Sequence, residues 1–308
     1  MATYLVTGAG GFIGSALVWA LLERGDRVRG LDNFATGKRE NLDGIFGRID
    51  FRRADLLDAA ALADACHGVD YVLHQAAIAS VPKSIADPAT SHRVNAGGTL
   101  NLLIAARDAQ VKRVVYASSS SVYGDSPTLP KHEAMPPNPI SPYAVSKLTG
   151  ELYAISFYRV YGLETVSLRY FNIFGPRQDA DSEYSAVLAK FISLMLAGHQ
   201  PTIFGDGQQS RDFTYIENAV EANLLACEAP AAQAAGRVFN VATGQRADLN
   251  RTYSLLQKLT GYSGPARFAS ERAGDLKHSL ADVALAEKHL GYKVQVDFEE
   301  GLRQTVDW

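Results

Sequence analysis

Three glycines, Gly8, Gly11 and Gly14, separate a short apolar run from a helical pattern, and no other feature restricts this chain as much. Tyr4–Thr7 reads as a strand, and Phe12–Arg24 as a helix closed by Gly25. Glycine at those places allows a tight turn and a close approach to the backbone. A helix N-terminus offers free N–H groups and a favourable dipole to a phosphate. Asp32 ends the next strand, Arg27–Leu31, 18 residues beyond Gly14. A carboxylate there accepts from ribose hydroxyls and repels a 2′-phosphate. Loop, strand, helix and Asp32 together point to a bound dinucleotide, and to NAD rather than its phosphorylated form.

The alternation continues. Arg48–Arg53, Tyr71–His74, Arg113–Ala117 and Thr165–Arg169 read as strands, with long helices over Pro88–Ala109 and Pro142–Tyr161. Apolar strands alternating with helices predict an α/β fold, a Rossmann-type doubly wound parallel sheet covered on both faces. After Asn172 the pattern breaks into short elements punctuated by Gly and Pro. This predicts a smaller C-terminal α/β lobe that binds substrate. Residues 1–172 are assigned to the dinucleotide-binding domain and 173–308 mainly to the lobe. The helix near Tyr215–Ala229 and the strand Val238–Ala242 are expected to return to the first domain, as residues 213–245.

A second pattern carries the chemistry. Tyr143 and Lys147 stand four residues apart in a predicted helix, hence on one face. An ammonium near a phenol favours phenolate, so Tyr143 can act as a base near neutrality. Upstream lie Ser118, Ser119, Ser120 and Ser121, from which a hydroxyl can hold or pass on the proton. Beside a dinucleotide, such a set removes a proton from an alcohol as hydride leaves its carbon.

Composition excludes several alternatives. The chain has 308 residues and a formal net charge of -3, so no basic field invites nucleic acid. No apolar run is long enough to span a bilayer, and no basic segment precedes an apolar stretch at the N-terminus. Two distant cysteines, Cys66 and Cys227, make no disulfide framework and suit a reducing cytoplasm. His67, His92, His132, His199 and His289 fit no metal-ligand spacing, so no metal is expected.

Several ordered stretches carry a resemblance: Thr7–Gly14, Leu31–Lys38, Ala54–Asp58, His74–Ala77, Ser118–Gly124, Ser141–Lys147, Leu168–Asp179, Gly205–Phe213 and Arg272–Asp282. Over its whole length the chain resembles the extended short-chain dehydrogenase/reductases, and within them the nucleotide-sugar 4-epimerases. The resemblance implies Ser119, Tyr143 and Lys147 as the catalytic set. It implies cofactor contacts from Gly8, Gly11, Phe12, Ile13 and Gly14, then from Asp32, Asn33, Thr36 and Gly37. Asp55 and Leu56 are expected to flank the adenine, although Asp55 reads equally as a helix N-cap. Gln75, Ala76, Ala77, Asn95, Ala117 and Tyr170, with Tyr143 and Lys147, complete the implied cofactor site.

For a UDP-sugar substrate the resemblance implies diphosphate grips at Arg211 and Arg272, a fit for guanidinium forks, and a further contact from Asn172. A surface salt bridge between Arg211 and Asp212 is the competing reading. Val187, Lys190, Phe204 and Gly205 are implied to wall the uridine, with Gln209 in the same site and Asp275 on a ribose hydroxyl. Ser279 falls at the gatekeeper position, where a small residue admits an N-acetyl group. The segment from Arg177 to Val187 also looks like members that take N-acetylated sugars. Ser120 and Ser121 stand where sister dehydratases carry an acidic pair. The remaining serines are read as local turn and cap residues. A nucleotide-sugar 4-keto reductase, a UDP-glucuronate 4-epimerase and a catalytically silent sensor remain alternatives. The two long helices imply a homodimer by resemblance.

Overall fold

The computed structural model describes residues 1–180, 187–271 and 277–308. At its centre β1 (Thr3–Thr7), β2 (Arg27–Asp32), β3 (Asp50–Arg53), β4 (Tyr71–His74), β5 (Arg113–Ser119) and β6 (Glu164–Tyr170) join a further strand, Arg237–Val241. They form one seven-stranded sheet ordered Arg237–Val241, β6, β5, β4, β1, β2, β3. All neighbours in it run parallel. The strand order reverses between β1 and β4, which opens a crevice at their C-terminal ends.

The two-residue period of the strands sorts the core. Leu5, Leu31, Val72 and Val114 face one apolar cluster; Tyr4, Val6, Leu73 and Val115 face the other. Each fully buried side chain of this size contributes about 1.5–3 kcal/mol. The first cluster is roofed by α2 (Ala59–Cys66) and α5 (Gly98–Asp108), and the second by α1 (Phe12–Glu23) and the helix Ile216–Glu228. Buried Arg113 fixes the end of that last helix. Its Nη1 donates to the carbonyl oxygens of Ala226, Cys227 and Ala229 at 2.8, 3.1 and 2.7 Å.

Three elements differ from expectation. The helix α2 was expected to start at Asp55, but its N-cap is Asp58, which accepts from the Ala61 amide at 3.0 Å. The single helix expected over Pro88–Ala109 is interrupted. A helix α3 (Val81–Ala86) precedes α4 (Pro88–His92), and Arg93–Gly97 forms a π turn before α5. The cause is Asn95, buried in that turn, whose side chain is taken by the Ile78 main chain and the Ser146 hydroxyl. The third strand begins at Asp50 rather than Arg48, because Phe46–Arg48 forms a helical turn.

Beyond β6 the elements are short. Ile173–Phe174 pairs with Thr214–Tyr215, Thr202–Phe204 with Arg267–Ala269, and Ser210–Arg211 with Ala247–Asp248. No helix among the described residues is long and apolar enough to cross a membrane.

Candidate active site

The catalytic set meets where β5 ends against α6 (Pro142–Tyr161). Ser141 caps α6 by accepting from the Ala144 amide at 3.2 Å, and Pro142 occupies its first position. The Tyr143 amide, an orphan donor of that first turn, is taken by the Ser84 hydroxyl at 3.0 Å. One turn on, the buried Lys147 Nζ donates to the Ala117 main-chain oxygen at 2.8 Å. The same Nζ lies 5.2 Å from the centre of the Tyr116 ring and 5.9 Å from that of Tyr143. The Ser119 hydroxyl opposes the rise of the Tyr143 phenol and accepts from the Ser121 amide at 3.2 Å.

Burial adds an opposing effect that the spacing does not show. It raises the Tyr143 phenol above its ordinary value, and the Ser119 hydroxyl only partly opposes it. The Lys147 ammonium, 5.9 Å from the ring centre and bonded to Ala117, does not outweigh that burial. Burial instead pulls the Lys147 ammonium down to about 8, with the Glu151 carboxylate working the other way. His74, next to Lys147 in the core, is held neutral. Burial, then the Lys147 charge, lowers it to about 3, and its ring bonds the Thr7 and Thr99 hydroxyls.

The other serines divide differently from the local roles expected of them. Ser118 is buried and donates to Glu151 Oε1 at 2.5 Å rather than capping a turn. Ser120–Tyr123 forms a helical turn with Ser119 as its cap, and the buried Ser121 Oγ makes no hydrogen bond.

The glycine loop fits the pyrophosphate of a dinucleotide. Among the helices around the site, α2, α3, α4 and α6 are capped by Asp58, Ser80, Asp87 and Ser141, whereas α1 starts at Gly11 with no capping side chain. The amides of Phe12, Ile13 and Gly14 are thus presented at an open helix end. A Cβ on Gly14 would stand 2.0 Å from the Gly8 carbonyl oxygen, so only glycine permits the loop. Asp32 is buried, and its two oxygens accept from the Gly10 and Phe34 amides at 2.8 Å each. One lone pair per oxygen is left for ribose hydroxyls. A Cβ on Gly37 would press on that carboxylate at 2.8 Å.

The remaining expected cofactor positions are distributed around this crevice. Asn33 Nδ2 donates to Asp55 Oδ2 at 2.7 Å, and Thr36 is exposed on the loop beyond. Asp55 accepts from the Leu57 amide at 2.9 Å in a turn, so the capping role considered for it belongs to Asp58. Leu56 is buried against Gly98. Gln75, Ala76 and Ala77 follow β4 and pass the Gly8 turn, where the Thr7 hydroxyl accepts from the Ala76 amide at 3.3 Å. Gln75 and Tyr170 are joined through Asn223. The Asn223 side chain donates to the Tyr170 hydroxyl at 2.7 Å and accepts from Gln75 Nε2 at 3.1 Å. Burial pushes that phenol up to about 12. Asn95, as described above, is spent inside the π turn.

The expected substrate positions lie on the short elements. Asn172 sits at φ 39° and donates to the Asp212 carbonyl at 3.0 Å. Gln209 donates to the Phe204 carbonyl, and the Gly205 amide to that of Ala269. Arg211 Nη1 donates to the carbonyls of Ser210 and Lys277 at 3.0 and 3.3 Å. The alternative of an Arg211–Asp212 surface pair does not hold. Asp212 is fully buried, accepting from the amides of Thr243, Gly244 and Ala281 and from the Thr243 hydroxyl. The Ser279 amide donates to the Ser210 carbonyl at 3.0 Å, on a strap that reaches Lys131 through Ala281. Val187 opens the helix Val187–Leu196 and packs on the core, while Lys190 is exposed. Arg272, Asp275 and the Tyr184–Ala186 part of the stretch resembling N-acetyl-sugar enzymes lie outside the described residues.

Ser84, Glu151, Arg169, Asp212 and Asn223 were missed. Their only trace in the sequence is a polar residue within an apolar pattern, which does not announce a partner. Among the described residues no group of three or more His, Cys, Asp or Glu is placed to hold a metal ion.

Known proteins share this arrangement. The profile of the NAD dependent epimerase/dehydratase family matches residues 4–242. The UDP-glucose 4-epimerase of Mycolicibacterium smegmatis is 39% identical, covering 99% of this chain and 97% of that one. The UDP-N-acetylglucosamine 4-epimerase of Methanobrevibacter ruminantium M1, solved in complex with UDP-N-acetylmuramic acid, is 42% identical. It superposes with a TM-score of 0.95 over 100% of this chain and 97% of its own. The Thermus thermophilus UDP-glucose 4-epimerase, solved with NAD, is 38% identical with a TM-score of 0.89, over 99% and 98% of the two chains. With the glycine loop, Asp32 and the serine–tyrosine–lysine set all in place, this chain belongs to the NAD dependent epimerase/dehydratase family.

Proposed function

We propose that the protein is an NAD-dependent 4-epimerase of UDP-hexoses. It interconverts UDP-GlcNAc with UDP-GalNAc, and UDP-Glc with UDP-Gal, through a 4-keto sugar. One observation carries this reading: Ser119, Tyr143 and Lys147 converge at the sheet edge beside an open glycine loop, while positions 120 and 121 hold serines. Hydride and proton machinery is present, and the acid needed for an elimination is not, since a serine hydroxyl titrates far from neutrality. The names of the relatives point the same way.

Held by the glycine loop and Asp32, NAD⁺ would supply a reversible hydride acceptor and a positive charge that favours the tyrosinate. Tyr143 receives the 4-hydroxyl proton as hydride leaves, and Ser119 holds the oxygen during transfer. The Lys147 ammonium stabilises the phenolate. After the keto sugar turns over and presents its other face, Tyr143 returns the proton to the 4-oxygen. Arg211 and Arg272 grip the diphosphate with Asn172. Val187, Lys190, Phe204, Gly205 and Gln209 receive the uridine, and Asp275 its ribose. Ser279 leaves room for an N-acetyl group.

Neutral hexoses are favoured over UDP-glucuronate. Arg177, the residue available to bind a carboxylate, lays its guanidinium 5.4 Å from the centre of the Trp19 ring on α1, and Asp179 pairs with Lys38 at 3.0 Å. We assign residues 1–172 with 213–245 to cofactor binding and the rest of 173–308 mainly to the sugar nucleotide. A homodimer through α5 and α6 is supported by Ile104, Val145, Leu152 and Val160, all exposed on those helices. Two buried free cysteines suit a cytoplasmic location.

The reading is tested with UDP-Glc deuterated at C4. A 4-epimerase keeps the label at C4 of UDP-Gal, because hydride returns within one site. A reductase or dehydrogenase loses it to the nicotinamide pool.

A further inference from the structure

The helix α6 turns Tyr143, Lys147 and Glu151 to one side at successive i, i+4 steps. Three consecutive residues of β5 meet them. The Ala117 carbonyl takes the Lys147 ammonium at 2.8 Å, and the Ser118 hydroxyl donates to Glu151 at 2.5 Å. Ser119, next along the strand, acts on the Tyr143 phenol. From the adjacent strand β6, Arg169 donates to both Glu151 oxygens, Nε at 2.8 Å and Nη2 at 2.7 Å. The guanidinium carbon lies 4.6 Å from the centre of the Tyr123 ring. The side chains of Arg169 and Glu151 are 4% and 2% exposed.

A buried ion pair is a poor way to stabilise a fold, since an apolar pair of the same shape does as well or better. It does supply direction, because a two-pronged guanidinium–carboxylate contact holds one geometry. It also supplies a local anion. We infer that Glu151, gripped by Arg169 and Ser118, is a positioning residue that sets the register of α6 on β5 and keeps the Lys147 ammonium charged. This rests on the 4-epimerase reading of the site.

The groups around that ammonium leave Glu151 as its counter-charge. Tyr143 shares its helix, Tyr116 faces it from β5 and His74 from β4. Both phenols are raised by burial and His74 is held neutral. Arg169 from β6 is paired with Glu151. Lys83, His92 and Arg93, on the segments packed across α6, are exposed.

The test reads Lys147 directly. The protein as purified is labelled with ¹³Cε-lysine, and the Lys147 signal is assigned by its absence from Lys147→Arg. In Glu151→Gln the signal should titrate about one pH unit lower than in wild type. In Glu151→Asp it should stay at the wild-type position. At pH 8, kcat of Glu151→Gln should fall about fivefold with KM unchanged, because the nucleotide grips lie elsewhere. Should the unpaired Arg169 prevent folding, Glu151→Gln combined with Arg169→Gln removes the anion together with its cation, and a smaller lowering in the same direction is expected. A Lys147 titration unmoved in every folded variant overturns the inference. The titration needs no turnover, so a protein without epimerase activity would overturn the functional reading alone.

Discussion

The ammonium of Lys147 donates to the main-chain oxygen of Ala117 at 2.8 Å, so a candidate catalytic side chain on α6 is tied to the strand that carries Ser119. The bond holds the charge in a buried place where, on desolvation grounds, it is readily given up.

That cost sets a pH limit on activity. Lys147 is lowered to about 8, so the protonated form that supports the phenolate is lost as pH rises through that value. The kcat for epimerisation should fall along an alkaline limb near pH 8. Tyr143→Phe should reduce kcat by about 10³-fold, in the range of lost acid–base catalysis, while the cofactor remains bound. Steady-state rates across pH, with absorbance of the retained cofactor, check both.

Specificity should follow the size of residue 279. Ser279 is half-buried on the strap between Ser210 and Lys131. Ser279→Tyr should lower kcat/KM for UDP-GlcNAc by about 100-fold and that for UDP-Glc by no more than about threefold. Parallel assays with the two sugars measure the ratio.

His74 should make the fold sensitive to acid. Its folded-state value of about 3 lies below the ordinary 6.5, so the unfolded chain binds more protons in between. Stability contributed by the neutral ring is complete above about 6.5 and is lost as pH falls. The slope is about 1.4 kcal/mol per pH unit, or about 2 kcal/mol between pH 6.5 and 5. Urea unfolding at those two pH values should show this loss in wild type and a smaller one in His74→Gln.

The apolar stripe on α6 should be an interface. Val145, Leu152 and Val160 are 47%, 59% and 67% exposed and lie on one face of the helix. Leu152→Glu should turn a dimer into a monomer, read by light scattering at micromolar concentration. A wild type that is already monomeric at that concentration contradicts the assignment.

What could be read in advance follows from the range of the interactions. The glycine loop with Asp32 and the Tyr143–Lys147 pair were legible because their spacing reflects a local turn and one helical repeat. The interruption of Pro88–Ala109 was not, because it depends on Asn95 finding Ile78 and Ser146. Ser118 resembled its neighbours in a run of four serines. Only the approach of Glu151, 33 residues away, separates it from them. The burial that raises the Tyr143 phenol does not show in the spacing, since it is a property of the assembled site.

The most direct measurement is ¹H NMR of purified protein mixed with UDP-GlcNAc, and separately with UDP-Glc, with no cofactor added. Appearance of the UDP-GalNAc and UDP-Gal anomeric signals, each settling at an equilibrium mixture, is the predicted result. No conversion of either sugar, even after NAD⁺ is supplied, would contradict the assignment of this site to 4-epimerisation of UDP-hexoses.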